Sequence, residues 1–120
     1  MPIISLGTWQ YNDTVAGDAI AKGLKAGFTH IDTAMNYNNQ KGVGAALKGV
    51  DRDSYFLTTK TVPCTSATEA ACEAATTKDF LGDLSDLGLD YVDLILLHGP
   101  SHRGAGSCDK ARHTQFRRCL

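Results

Sequence analysis

The chain has 120 residues, 42% of them hydrophobic, with 12 Lys and Arg against 13 Asp and Glu for a formal net charge of −1. That length and composition favour one domain with a sizeable core and exclude a disordered chain. Charges of both signs are scattered, which gives no reason to expect a nucleic-acid or anionic-membrane partner. The N-terminal stretch MPIISLGTWQ lacks a basic segment and a long apolar one, so no signal peptide is expected. The longest apolar run, LILL at 94–97, is far too short for a membrane span. Four cysteines, Cys64, Cys72, Cys108 and Cys119, form no C-x-x-C pair. With no secretory signal, they are expected to be free thiols in a reducing compartment, the cytoplasm.

In chain order, the apolar stretch IISLG (3–7) reads as a strand ending in glycine. Residues 13–27 then read as a helix. Ala16, Ile20 and Leu24 face inward, Asp18, Lys22 and Lys25 face water, Asp13 caps the start and Gly27 suits the end. FTHID (28–32) is a second strand, with Phe28 to Ile31 buried. Residues 38–50 form a weaker helix with Val43, Leu47 and Val50 on one side; Gly42 and Gly44 each cost it about 1 kcal/mol. YFLTTK (55–60) is a third strand, aromatic and Thr-rich. The third helix opens on a capping-box pattern from Ser66 to Glu69. It continues with Ala70, Ala74, Thr77, Leu81 and Leu84 as its inward row, Gly82 suggesting a break and Gly88 an end. YVDLILLH (91–98) is a fourth strand, almost continuously apolar, as when both sheet faces are covered. The order βαβαβαβ predicts an α/β fold with a parallel sheet and right-handed crossovers. From 101 to 120 the chain becomes a polar, basic tail with no clear element.

Three consecutive strands end in ionisable residues: Asp32, Lys60 and His98. Functional groups in parallel α/β folds gather at the C-terminal ends of strands, and Tyr37 lies in the loop after the second strand, within reach of the same rim. A lone strand-end Asp is often a turn residue, a lone Lys solvated, a lone His a satisfied core group, and a loop Tyr mostly packing; on adjacent strands their coincidence favours a site. A cation beside a phenol stabilises developing phenolate, which makes the tyrosine a general acid for an alkoxide. Asp32 would orient Lys60, and His98 would donate a hydrogen bond to a carbonyl oxygen. Other chemistries lack support. Ser5, Ser54 and Ser66 have no nucleophile-elbow context, and GVGAALKG lacks the G-K-[ST] of a phosphate loop. His98, His102, Cys108, His113 and Cys119 match no zinc spacing and lie among Arg103, Arg112, Arg117 and Arg118, so no metal site is expected.

These residues sit in segments that resemble the aldo-keto reductases. SLGTWQ resembles the G-L-G-T-W closing that family's first barrel strand, and FTHIDTAMNYNNQKGVGAAL its H-I-D-T-A-x-x-Y stretch. YFLTTK and LGLDYVDLILLHGP resemble its third-strand lysine and fourth-strand histidine segments. The resemblance covers residues 3–100. It implies the N-terminal half of a (β/α)8 TIM barrel, with four parallel strands and three helices over residues 1–100. It also implies reduction of small aldehydes or ketones by NADPH. The family's catalytic tetrad carries over as Asp32, Tyr37, Lys60 and His98; Gly7, Thr8, Trp9 and Asp32 match positions that meet the cofactor. Two departures stand out: Gln40 replaces a usual glutamate, and Gly99 a frequent tryptophan.

A full barrel of this kind needs about 250 residues. The later strands, which in the family hold the nicotinamide carboxamide and the 2′-phosphate, have no counterpart here, and no G-x-G-x-x-G replaces them. The expectation is therefore a truncated, inactive form of a reductase whose open barrel edges invite self-association. The alternative is a non-catalytic half-barrel binding or interaction module.

Overall fold

The computed structural model describes residues 1–65 and 68–99. They form four strands, β1 (Leu6–Gly7), β2 (His30–Asp32), β3 (Phe56–Thr61) and β4 (Leu94–Leu97), and three helices, α1 (Asp13–Lys25), α2 (Gln40–Leu47) and α3 (Glu69–Leu87). The strands pair in parallel in the order β1-β2-β3-β4. This is the α/β arrangement expected from the sequence, four parallel strands and three helices as in the first half of a (β/α)8 barrel. The expected tail, 101–120, and the cap residue Ser66 lie outside the described residues. No helix among the described residues is long and apolar enough to cross a membrane.

Strand geometry decides which side chains share a face, because orientation repeats every two residues. One face carries Ile31, Leu57 and Ile95, which join Ala16, Ile20, Val43, Leu47, Phe80, Leu84 and Leu87 from the helices in one core. The other face carries His30, Asp32, Thr58, Lys60 and Leu96. The register places Gly7 beside Asp32, Asp32 beside Thr58 and Lys60 beside Leu96. His98 continues the ladder, its N–H donating to the Thr61 carbonyl oxygen at 2.8 Å. Each strand thus climbs past its neighbour, as barrel closure demands, and the ionisable strand ends form one rising row on one face. Burial begins later in β2 than the sequence suggests: Phe28 is exposed, and His30 is the first buried residue.

The helix ends correct several expectations. Asn12, not Asp13, caps α1, its side chain accepting from the Val15 N–H at 2.9 Å. Asp13 instead accepts from the Gly42 N–H at 2.7 Å, which ties α1 to the start of α2. That contact explains the glycines that weakened the helical pattern of α2. A Cβ on Gly42 would collide with the Asp13 carbonyl, and one on Gly44 with the carbonyl of Leu87, so both glycines exist for close backbone approach. Thr68 caps α3 by accepting from the Ala71 N–H at 3.3 Å, and Gly88, at φ 66°, ends it. The helix runs through Gly82 unbroken. Its inward row is Cys72, Phe80, Asp83, Leu84 and Leu87; of the expected row only Leu84 is buried, and Leu81 is exposed. The apolar contrast of an Ala- and Thr-rich helix is too weak to fix its phase.

The cysteine expectation is also overturned. Cys64, in the loop leaving β3, and Cys72, in the first turns of α3, form a disulfide with their Cα atoms 5.3 Å apart.

Two polar clusters close the layers. Near the strand starts, Arg52 pairs with Asp93 at 2.6 Å and lies against the rings of Tyr55 and Tyr91; the Asp93 carboxylate also accepts from the Leu57 N–H at 2.9 Å. Between sheet and helices, Thr59 Oγ1 donates to Gln40 Oε1 at 2.8 Å, and Gln40 Nε2 donates to Asp83 Oδ1. Asp83 is 2% exposed, and its other oxygen, Oδ2, has no hydrogen-bond partner among the described residues. Burial pushes the Asp83 carboxyl up to about 7, against the hydrogen bond from Gln40 and with Asp79 and Asp86 adding to the rise.

A carboxyl whose folded-state pKa is raised binds its proton more tightly when folded. Its contribution to stability is therefore complete below about pH 4 and lost as pH climbs through about 7. We expect the urea midpoint of the wild-type chain to fall across that window, and Asp83→Asn to remove this part of the slope and be the more stable chain above pH 7. Superimposable pH profiles for the two chains would contradict this assignment.

Candidate active site

Lys60 leaves the C-terminal end of β3 on the face away from the helices. Its ammonium makes three contacts. It donates to Asp32 Oδ1 at 2.5 Å, to the Thr33 carbonyl oxygen at 2.9 Å and to the Tyr37 hydroxyl at 3.1 Å. The Lys60 side chain is 12% exposed and that of Asp32 29% exposed, so the ion pair is screened much less than a surface pair. β2 can end in a half-buried carboxylate because its counterion comes from the next strand.

Tyr37 reaches the cluster from a 3₁₀ turn, Met35–Tyr37, that follows β2. The Tyr37 N–H donates to the Ala34 carbonyl oxygen at 3.1 Å, and Asn38 ends the turn at φ 54°. A short, left-handed exit brings the phenol back over the strand ends, where its hydroxyl meets Lys60. Trp9 packs on one side of the Tyr37 ring at 4.7 Å between centroids, and His98 approaches edge-on at 5.5 Å. All four residues of the expected tetrad are therefore brought together. Beside Asp32 and Thr33, the lysine's third hydrogen bond among the described residues goes to the phenol oxygen.

One participant escaped the sequence. Asn36 lies 2.8 Å from His98, with His98 Nδ1–H donating to Asn36 Oδ1. Turned over, the same amide donates Nδ2–H to Nδ1 and leaves Nε2–H as the outward donor. Either way Asn36 fixes the imidazole ring. It stands next to Tyr37, but its position before a tyrosine carries no sequence signal of its own.

The residues expected to meet a cofactor divide. Gly7 and Trp9 are exposed at the rim, and Asp32 is half-buried beside Lys60. Thr8 is fully buried, and its side chain points into the protein. Its Oγ1 lies 3.0 Å from Thr33 Oγ1 and 3.3 Å from Asn39 Oδ1, while Asn39 Nδ2 donates to the carbonyl oxygens of Thr8 at 2.7 Å and Tyr11 at 2.9 Å. Asn39, also fully buried, thus locks the loop carrying Trp9 to the loop carrying Tyr37. Among the described residues no group of three or more His, Cys, Asp or Glu side chains could hold a metal ion.

Four parallel strands with their ionisable ends gathered on one rim form an α/β layer of the barrel class. The sequence matches the aldo/keto reductase family over residues 3–105, and the chain belongs to that family. It is 46% identical over 103 residues to glycerol 2-dehydrogenase (NADP(+)) of Saccharomyces cerevisiae, covering 84% of this chain and 31% of that protein. It is 41% identical over 102 residues to methylglyoxal reductase DkgA of Escherichia coli, covering 83% of this chain and 34% of that protein. Among solved structures, an aldo/keto reductase from Brucella melitensis aligns with a TM-score of 0.67 and 42% identity, over 81% of this chain and 37% of that one. An aldo-keto reductase from a Medee basin deep-sea metagenome library aligns with a TM-score of 0.78 and 32% identity, over 99% and 45%. The chain spans about a third of the length of the relatives it matches in sequence.

The Thr8–Asn39 lock yields a stability prediction. Thr8→Val keeps the shape and removes the hydroxyl, leaving buried Asn39 Oδ1 and Thr33 Oγ1 short of a partner. The cost should be about 1–3 kcal/mol by urea unfolding. A change within the error of the measurement would show that the hydroxyl is not part of the brace.

Proposed function

We propose that this chain carries the proton-transfer side of an NADPH-dependent carbonyl reductase acting on small aldehydes or ketones. The observation that carries the reading is the Lys60 ammonium held between the Asp32 carboxylate and the Tyr37 hydroxyl. Tyr37 protonates the oxygen of the reacting carbonyl. Lys60 stabilises the phenolate as it develops, and Asp32 holds the lysine charged and aimed. His98, with the Asn36 amide turned so that Nδ2–H donates to Nδ1, presents Nε2–H to the carbonyl oxygen beside the phenol and fixes the direction of approach. Trp9, over half exposed, gives the open side of the phenol an aromatic wall.

NADPH supplies the hydride when bound. The exposed Gly7 and Trp9 and the half-buried Asp32 fit a group lying over the strand ends, with Gly7 leaving space where any side chain would project. Thr8 serves that site from inside, by holding the loop. The remaining cofactor contacts belong to barrel strands beyond the four here, so the isolated chain is inactive in this reading and a completed barrel is required for turnover.

The test is a hybrid barrel in which residues 1–99 replace the corresponding part of a relative. NADPH oxidation dependent on a small aldehyde is expected, with Tyr37→Phe lowering kcat by about 10²–10⁴-fold while leaving cofactor affinity unchanged. A hybrid that binds NADPH and turns over equally well with Phe at 37 would overturn the assignment.

A further inference from the structure

The cysteine pair lies where a covalent bond has consequences for the rim. Cys64 is four positions beyond Lys60, in the loop that leaves β3; Cys72 sits in α3, buried to 4% exposure. The same loop touches the fourth strand's exit. Thr61, at its root, accepts the His98 N–H through its carbonyl oxygen. Pro63, next to Cys64, packs so closely on Gly99 that a Cβ there would meet the proline ring at 3.3 Å. The disulfide therefore anchors to α3 a loop that begins two residues beyond Lys60 and leans on the neighbour of His98.

Cys64 is half-buried and Cys72 buried, so Cys64 is the more accessible of the two to a small thiol. A reduced Cys72 behaves as a small buried hydrophobe and needs no polar partner, so opening the bond leaves α3 packed. The bridge spans a separation of only 8 residues, and so short a loop gains less from closure than a long one.

We propose that Cys64 and Cys72 form an exchangeable disulfide, opened and closed by low-molecular-weight thiols and disulfides, that clamps the loop leaving β3 beside the active-site rim. In opening, a small thiolate attacks Cys64 Sγ, the Sγ–Sγ bond breaks, and Cys72 leaves as a thiolate that takes a proton. A second small thiolate then attacks the sulfur of the bound small thiol, releasing the Cys64 thiolate and a small-molecule disulfide. Two thiols are oxidised, the protein disulfide is reduced, and closing is the reverse. The inference concerns the loop alone and does not rest on the proposed reductase activity.

The experiment uses the full chain with Cys108→Ser and Cys119→Ser, so that labels report this pair. The chain is equilibrated with mixtures of reduced and oxidised glutathione, quenched in acid, alkylated and weighed intact. In parallel it is treated with thermolysin, and cuts between residues 61 and 68 are timed. The expected result is two populations, carrying either no label or two, whose ratio follows the glutathione mixture. Loop cleavage should be about tenfold faster in the reduced form. Cys64→Ser, at a half-buried position, should fold and be cut at the reduced rate in every mixture. Two labels at every ratio, no label at any ratio, a stable glutathione adduct on Cys64, or equal cleavage rates would each overturn the proposal.

Discussion

The site depends on one ammonium group. Lys60 has three protons to give and three acceptors from the end of the neighbouring strand and the turn after it: a carboxylate, a backbone carbonyl and a phenol. Two of these contacts fix its position and the third is where chemistry can occur. A half-buried lysine without Asp32 would be costly to hold charged, and a half-buried Asp32 without Lys60 equally so. The pair makes each residue tolerable, and the pairing places the cation at the phenol oxygen. The rest of the fold can be understood as what brings that contact about.

The parallel register supplies the first part. Because neighbouring strands climb past one another, Asp32 on β2, Lys60 on β3 and His98 just beyond β4 rise along one face. The turn after β2 supplies the second, by folding Tyr37 back over its own strand. The buried Asn39 amide keeps that turn in register with the loop after β1. On the opposite face, the close approach of α2 to α1 and α3 at Gly42 and Gly44 lets the helices cover the sheet in a thin layer. The cost of this arrangement is visible at Asp83, a buried carboxyl with one oxygen unpartnered among the described residues and driven towards its neutral form.

Much of this was legible in the sequence, for physical reasons. Strand ends could be placed to within a residue because the strand-like runs close on ionisable residues, Asp32, Lys60 and His98, and parallel order followed from the alternation of periods. Helix starts were less legible: Asn12 stands beside Asp13, and Thr68 lies close to Ser66, so several good caps compete at each site and only the backbone chooses. The phase of α3 was misread because alanine and threonine give little contrast and because a polar residue, Asp83, occupies the buried row. The glycines of α2 looked like defects when taken one helix at a time, since their purpose lies in the neighbouring carbonyls. The Cys64–Cys72 bond and the Asn36–His98 contact are spatial relations that no local spacing encodes.

The chain belongs to the aldo/keto reductase family; whether Asp32 and Lys60 act as one unit is a matter of energy. A double-mutant cycle measures this directly, with urea unfolding of the wild-type chain, Asp32→Ala, Lys60→Met and the double variant. If the ammonium organises the rim, the two single losses will exceed the double loss by an interaction energy of about 1–3 kcal/mol. Losses that add to within about 0.5 kcal/mol would mean that the two residues stabilise the fold independently, and the cluster would lose its claim to be the keystone of the site.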